Sequence, residues 1–229
     1  MLSTWLLRGL MAVSGAALVF VSWPFSYSAY EAQKADAIVN DLNANRQLDP
    51  VKVREGLAAY DRAIEINPAA GRRLQRAELL AGAGLTSMIK VPQDQRTQWL
   101  RRAKADLESG LADAPMRGVD WLILATVYEG LDGPTRELLP ALFMSIETAP
   151  IMPLAWPARL RVILDVWPFL DEEQKARLAA YVVRTWRLSF DKRYFAWAVH
   201  SLTDELIIRH FLSNEPGAQD LFTKLIAAR

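Results

Sequence analysis

The sequence predicts an all-α protein, with a membrane-length N-terminal helix followed by an irregular array of antiparallel helix pairs. Three observations predict it. Apolar residues recur at helical spacing along nearly the whole chain, and strand-like alternation is absent. Gly9 to Tyr30 carries no charge. Three helical segments each end at a proline, Pro68, Pro115 and Pro150, with matching residues around it. At 229 residues, with 52% hydrophobic and 23% charged side chains, the chain has material for an extended folded domain and an appendage.

Residues 1–30 form the predicted membrane segment. Leu10 to Trp23 is dense in Leu, Val, Ala and Phe after a single Arg8, and the uncharged stretch is long enough for about 30 Å of hydrocarbon. Two readings fit: a retained anchor with Trp23, Tyr27 and Tyr30 as an interfacial belt, or a cleaved signal peptide with Ser26 and Ser28 at the cleavage site. Length favours the anchor. Arg8 on the short side places the N-terminus in the cytoplasm and exports the remainder. In a bacterium, that is a single pass through the inner membrane with the C-terminal domain in the periplasm.

Residues 31–50 are expected to be a helical connector, polar with Asn40, Asn43 and Asn45 and with Ile38 and Leu42 as the strong apolar pair. Residues 51–168 hold the predicted repeats. Leu57, Tyr60 and Ile64 stripe a helix ended by Asn67-Pro68; Leu74, Ala77, Leu80, Ala81 and Leu85 stripe the next, among Ala and Gly that permit close approach. After Val91-Pro92-Gln93-Asp94, a helix bearing Trp99, Leu100, Ala103, Leu107 and Leu111 runs to Pro115. Gly118 to Pro150 is the best-formed unit. Trp121, Leu124, Ala125 and Tyr128 share one face; the chain breaks at Gly130 to Gly133, and Pro140 should kink the second helix or delay its start.

Laid over one another, the three prolines show the repeat. Five positions earlier stand Ala63, Gly110 and Ser145, and eight earlier Tyr60, Leu107 and Leu142; six later come Leu74, Trp121 and Trp156. The 35 residues from Pro115 to Pro150 approach the ~34-residue tetratricopeptide period, and the 47 from Pro68 to Pro115 imply a lengthened pair. The fold predicted for 51–168 is therefore tetratricopeptide-like. Large residues on one helix face small ones on the next, and proline ends the second helix so that the chain folds back.

Trp156-Pro157 should open a helix through Leu160, Ile163, Leu164 and Trp167 that Pro168 stops. Residues 169–229 are expected to form a C-terminal helical cap. Asp171 with Glu172 and Glu173 caps a helix through Leu178, Tyr181, Val182 and Trp186. Lys192 to Leu212 reads as one helix, and Asn214 and Pro216 open the last, with Leu221, Phe222, Leu225 and Ile226.

Chemistry-bearing patterns are sparse. Cysteine is absent, which excludes disulfides, thiolate catalysis and Cys-based zinc sites. His200 and His210 stand ten apart, unlike the three or four of helical metal ligands. Adjacent carboxylates such as Asp204 and Glu205 point apart. No phosphate loop or nucleophile elbow is present, so the expectation is a non-enzyme without cofactor or metal. The tryptophans sit at helical spacing among aliphatic residues and read as core rather than sugar platforms.

Of 27 Lys and Arg, only Arg8 precedes Glu31, and all 26 Asp and Glu follow, so the exported part is neutral overall and nucleic acid is not an expected partner. Arg72 to Lys104 is locally basic. Either it is a solvated helical surface, or Arg72, Arg73, Arg76, Arg101 and Arg102 bind anionic polymer or lipid headgroups. Val119, Leu122, Thr126 and Glu129 resemble the groove positions of tetratricopeptide proteins, a mixture suited to a peptide; facing solvent or the neighbouring repeat is the alternative.

The Trp-x-x-Leu-Ala-x-x-Tyr helix from Trp121 to Tyr128, then GLDGPTRELLPALFMSIETAP, Trp167-Pro168 with Leu170-Asp171, and Arg184-x-Trp186-Arg187 resemble small membrane-anchored helical-repeat proteins that accompany bacterial exopolysaccharide biosynthesis and export loci. The resemblance covers roughly the C-terminal half, and Pro140 departs from it. It implies a non-enzymatic scaffold that gathers polysaccharide polymerisation or export components, with no catalytic residues carried over.

Overall fold

A computed structural model describes residues 2–44, 46 and 49–229, with the backbone alone at 2–4, 6, 7 and 43. All regular structure among these residues is helical. Of the predicted connector, Asn45 and the side chain of Asn43 lie outside the described residues. Two compact units are present, Met1–Ala114 and Pro115–Arg229. The division falls at Ala114–Pro115, inside the predicted repeat region 51–168.

The first unit holds α1 (Leu2–Asn43), α2 (Pro50–Ile66), α3 (Ala70–Leu85) and α4 (Gln93–Asp113). Membrane segment and connector are one helix, with Pro24 inside it. α1 changes character along its length. From Arg8 to Tyr27 its described side chains lie almost entirely open, and its apolar window is long enough to cross a membrane with none of it buried in protein. From Ser28 onward a seam of Ser28, Glu31, Ala32, Ala35 and Val39 is buried, at the three- and four-residue spacing of a helix face. Ser28 Oγ donates to Ala63 O of α2 (2.8 Å), Arg62 donates to Glu31 (3.0 Å), and Tyr60 Oη donates to Asp36 (3.2 Å). α3 and α4 then close the unit over Leu74, Leu79, Leu80, Leu107 and Leu111, all buried; each such leucine contributes roughly 1.5–3 kcal/mol. Leu85, expected on the apolar stripe of α3, is exposed because it is the last helical residue.

The second unit runs α5 (Gly118–Asp132), α6 (Leu139–Thr148), α7 (Trp156–Val166), α8 (Glu172–Leu188), α9 (Arg193–Trp197), α10 (Leu202–Phe211) and α11 (Ala218–Ala227). A 3₁₀ turn at Arg136–Leu138 precedes α6, so the helix starts late and Pro140 sits in its first turn, where a missing N–H costs nothing. Trp156-Pro157 opens α7, and a 3₁₀ turn at Trp167–Phe169 ends it at Pro168. Asp171 caps α8 through a capping box with Gln174.

Two readings of this region need correction. Lys192 to Leu212 is not one helix: the chain breaks after Trp197, and Ser201 starts α10 with its own capping box to Asp204. His200 therefore precedes α10, and only His210 lies in it. The last helix opens not at Asn214 or Pro216 but after Gly217, whose φ of 69° is the left-handed conformation that glycine adopts without strain.

The proline repeat has a local structural counterpart. The residue before each proline is a helix C-cap with nearly the same dihedrals: Asn67 (φ −144°, ψ 99°), Ala114 (−138°, 67°) and Ala149 (−144°, 67°). Proline forces its predecessor out of the helical region. Each cap N–H donates to the small residue four positions back, at 3.0 Å to Ala63, 2.9 Å to Gly110 and 3.2 Å to Ser145. Those small residues are buried, and so are Tyr60, Leu107 and Leu142 one turn earlier. Small size matters there because a neighbour presses in: a Cβ on Gly110 would lie 2.6 Å from Leu74 Cδ2.

Candidate functional site

The four predicted groove residues do not make one open surface. Val119 is 43% exposed, Leu122 is buried, and Thr126 and Glu129 are half-buried, with Thr126 Oγ1 bonded back to Ile123 O (2.8 Å). The cause is α7, which packs against α5 and sets Asp165 beside Glu129. Leu122 is buried and Val119 exposed, so the stripe splits between interior and surface.

Glu129 nevertheless sits at one end of a polar network. Burial, then the charge and hydrogen bond of Asp165, push its carboxyl up to about 7, against a smaller pull from Arg161. Arg161 on α7 donates from Nε to Asp165 (2.7 Å) and from Nη1 to Asp204 (3.0 Å), and also to Ala198 O. Burial opposes the guanidinium charge, but the two carboxylates outweigh it and hold its pKa above the usual value. Asp204 is buried and also accepts from the backbone N–H of His200 (2.8 Å) and Ser201 (3.0 Å); desolvation pushes its pKa up, but the hydrogen bonds from Arg161, His200 and Ser201 and the charge of Arg161 together outweigh it and hold the carboxyl below its usual value. The network ties α5, α7 and α10 together. Among the described residues, no cluster of three His, Asp or Glu side chains with metal-binding geometry occurs.

The basic region of the first unit is largely self-paired. Arg76, mostly shielded, grips Asp106 through Nε (2.7 Å) and Nη2 (2.6 Å) and reaches Asp61 (2.7 Å); Arg102 also bonds Asp61. Arg73 donates to Ser109 and to Pro68 O, and Arg72 to Gln75 (2.8 Å). Arg96 closes the loop before α4 by donating to Thr86 O and Ile89 O. Of the five arginines named for anion binding, Arg101 alone has no protein acceptor among the described residues. The acidic partners Asp61, Asp106 and Asp113 lie at the margins of the basic stretch or one helix away, which a window along the sequence does not reveal.

The tryptophans divide. Trp99, Trp156 and Trp186 are buried as expected, Trp121 and Trp167 are half-buried, and Trp197 is 57% exposed with Arg193 over its ring at 5.5 Å. Trp197 lies at the mouth of a cavity of about 500 Å³. Its lining includes Ile151, Trp156, Leu188, Phe190, Tyr194 and Trp197. Phe190 is fully exposed. Trp156 is 5% exposed, and its indole N–H has no acceptor; Tyr194 Oη lies near Thr185 and Ser189 without a well-directed hydrogen bond. Asp191, also in the lining, is paired with Arg193 (2.6 Å), which brings its carboxyl down to about 2. Sequence reasoning missed this cavity because its aromatics fit helical spacing. The break after Trp197 is signalled by Ser201-x-x-Asp204, a capping-box pattern inside the apparent helix.

No protein-family model, curated protein or solved structure matches the chain.

Proposed function

We propose that this protein is a non-enzymatic interaction scaffold held on a membrane by α1. The observation that carries the reading is the continuity of α1: one helix is bare and apolar at its start and keyed into α2 further on, through Ser28 and Glu31. A folded unit mounted this way has no flexible tether, which suits a body that presents binding surfaces at a set distance from a bilayer. Arg8 at the short side supports a cytoplasmic N-terminus and folded units in the periplasm of a bacterium. The repeated C-caps at Asn67, Ala114 and Ala149 support helix pairs stacked in the tetratricopeptide manner. The likeness to proteins of exopolysaccharide loci makes polysaccharide polymerisation or export components the partners to test first. Direct binding of anionic polymer is the weaker reading, since the arginines it needs are engaged with Asp61, Asp106 and Ser109.

Carbonate extraction of membranes, combined with a reporter fused after Arg229, tests this. Retention in the membrane pellet and reporter activity on the exported side are expected. Release by carbonate, or a cytoplasmic reporter, overturns it.

A further inference from the structure

The contacts between α1 and α2 give the level of each α2 residue along the membrane helix. Ser28 bonds Ala63 (2.8 Å), Glu31 accepts from Arg62 (3.0 Å), Asp36 accepts from Tyr60 (3.2 Å), and a Cβ on Gly56 would touch Ala35 and Ile38. Rising numbers on α1 match falling numbers on α2, so the two helices are antiparallel. Ala63 is level with Ser28, and α2 continues to Ile66 before the chain turns. That carries the α2–α3 turn at least about 4.5 Å past Ser28 towards the bare half of α1, to the level of Phe25 or Trp23. Burial on α1 agrees: Pro24, one turn before Ser28 on the same face, is half-covered, although its neighbours on both sides are open. α3 then runs back. A Cβ on Gly56 would also touch Leu79, and one on Gly82 would strike Leu42, so Ala70 starts α3 at the Ser28 end and Leu85 ends it about 24 Å away.

The charges follow the same axis. The turn itself, Asn67 to Gly71, carries none, and Pro68 and Ala69 are exposed. Arg62 flanks it on one side and Arg72 and Arg73 on the other, with Glu65 the one carboxylate between them. Lys34 and Arg62 share the buried Glu31 and keep their own side chains half exposed. Lys34 stands four residues beyond Tyr30, about 6 Å along the helix, with its ammonium 4.8 Å from the Tyr30 ring. A headgroup layer is roughly 5–8 Å thick, so cations placed this far beyond an aromatic belt reach the phosphates.

We infer that the α2–α3 turn is a second contact with the bilayer: Asn67 to Gly71 sits in the phospholipid headgroup layer beside α1, with Lys34 and Arg62 at the phosphates, while the loop after Leu85 stands clear of the membrane. The inference rests on the anchor reading and deepens it. The occupant follows from level, because a turn packed beside Trp23 to Tyr27 meets the surface of whatever layer the bare half of α1 spans. One spanning helix alone leaves a folded unit free to tilt. A contact off its axis sets the first unit upright.

The chain contains no cysteine, so a single introduced cysteine carries a single label. Leu18→Cys, Ala69→Cys, Gly71→Cys and Met88→Cys variants of the full chain are labelled with bimane and reconstituted in phosphatidylcholine vesicles. Leu18, Ala69 and Met88 are exposed, and a Cβ on Gly71 meets nothing within 4 Å, so the fold accommodates each change. Quenching is compared between lipids bearing a nitroxide on the headgroup and lipids bearing it midway along the acyl chain. Headgroup nitroxide should quench the Ala69 and Gly71 labels severalfold more than the Met88 label, and acyl nitroxide should quench the Leu18 label most. If Leu18 responds in this way but Ala69 and Gly71 are quenched no more than Met88, the inference is overturned and the anchor stands. Turn labels that respond more to the acyl nitroxide than to the headgroup one would put the turn in hydrocarbon and likewise overturn it. A Leu18 label untouched by either lipid removes the anchor and the inference with it.

Discussion

Arg159 is wholly buried with no carboxylate beside it. Its guanidinium donates instead to Ser145 O (2.6 Å), Ala149 O (2.8 Å), Ser145 Oγ (3.0 Å) and Tyr181 Oη (3.1 Å). The two carbonyls belong to the last turn of α6, where the helix dipole places partial negative charge, so the helix end acts as the counter-ion. Arg159→Leu removes the cation and its donors to Ala149 O and Tyr181 Oη, and leaves Ser145 O with the Ala149 N–H alone. Urea denaturation should show a loss of roughly 2–4 kcal/mol, and an unchanged midpoint would mean water replaces the side chain without penalty. The same helix end receives Gly118, since Ser145 Oγ donates to Gly118 O (2.6 Å) and a Cβ at Gly118 would lie 2.5 Å from Ala149 Cβ. Gly118→Ala should therefore cost roughly 1–3 kcal/mol by overpacking. Single residues here stitch α5, α6 and α7 through one crowded point.

At the scale of elements, the Glu129, Asp165, Arg161 and Asp204 network makes helix association depend on pH. Glu129 has its pKa raised from 4.5 to about 7 by burial and by Asp165, with Arg161 as the cation opposing the shift and Asp204 on the far side of Arg161. A raised carboxyl pKa means that the folded state holds the proton more tightly than the unfolded chain. Its contribution is thus full below about pH 4.5 and lost as pH rises through about 7. Glu129→Gln should flatten the stability profile over that window and stabilise the protein at pH 8 by roughly 1–2 kcal/mol; parallel profiles for the two proteins would remove Glu129 as the cause. Elements set by local chemistry were legible in the sequence: the Pro68, Pro115 and Pro150 caps, the late start of α6 at Pro140, and the Asp171 box. Elements set by competition between local and periodic signals were not. Apolar spacing runs on through Ala198 to Ser201, where the chain leaves α9 and a capping box starts α10. For Val119, Leu122, Thr126 and Glu129 the sequence leaves groove, solvent and neighbouring repeat open, because it cannot say which helix packs beside them. The Arg72 to Arg102 cluster misled for the same reason, its carboxylates arriving from Asp61 on α2 and from Asp106 further along α4.

For the molecule as a whole, the division that matters lies within α1, where an apolar helix passes from open surface into a packed seam with no break in the backbone. Composition located the apolar part, but the handover is fixed by packing. Ser28, one residue after Tyr27, is the first buried side chain among the described residues, while Trp23, Tyr27 and Tyr30 stay exposed on one face, with ring centroids 6.0 and 6.4 Å apart. That face is placed as an interfacial belt would be, immediately before the folded unit begins. The two halves of the helix should then fail in different ways. Leu18→Arg with Phe20→Arg puts two cations into the bare half, at roughly 2.5–3.5 kcal/mol each against insertion. This change should shift the protein from the floating membrane fraction towards the soluble fraction while its thermal transition stays near the wild-type temperature. Ala35→Arg forces a bulky cation into the fully buried seam against α2, which is already filled. This change should abolish or sharply lower the transition while the protein still floats with membranes. Flotation gradients paired with circular dichroism melts read both properties on the same samples. If the two variants lose membrane association and folding together, α1 is an ordinary structural helix of the first unit and the anchor reading falls.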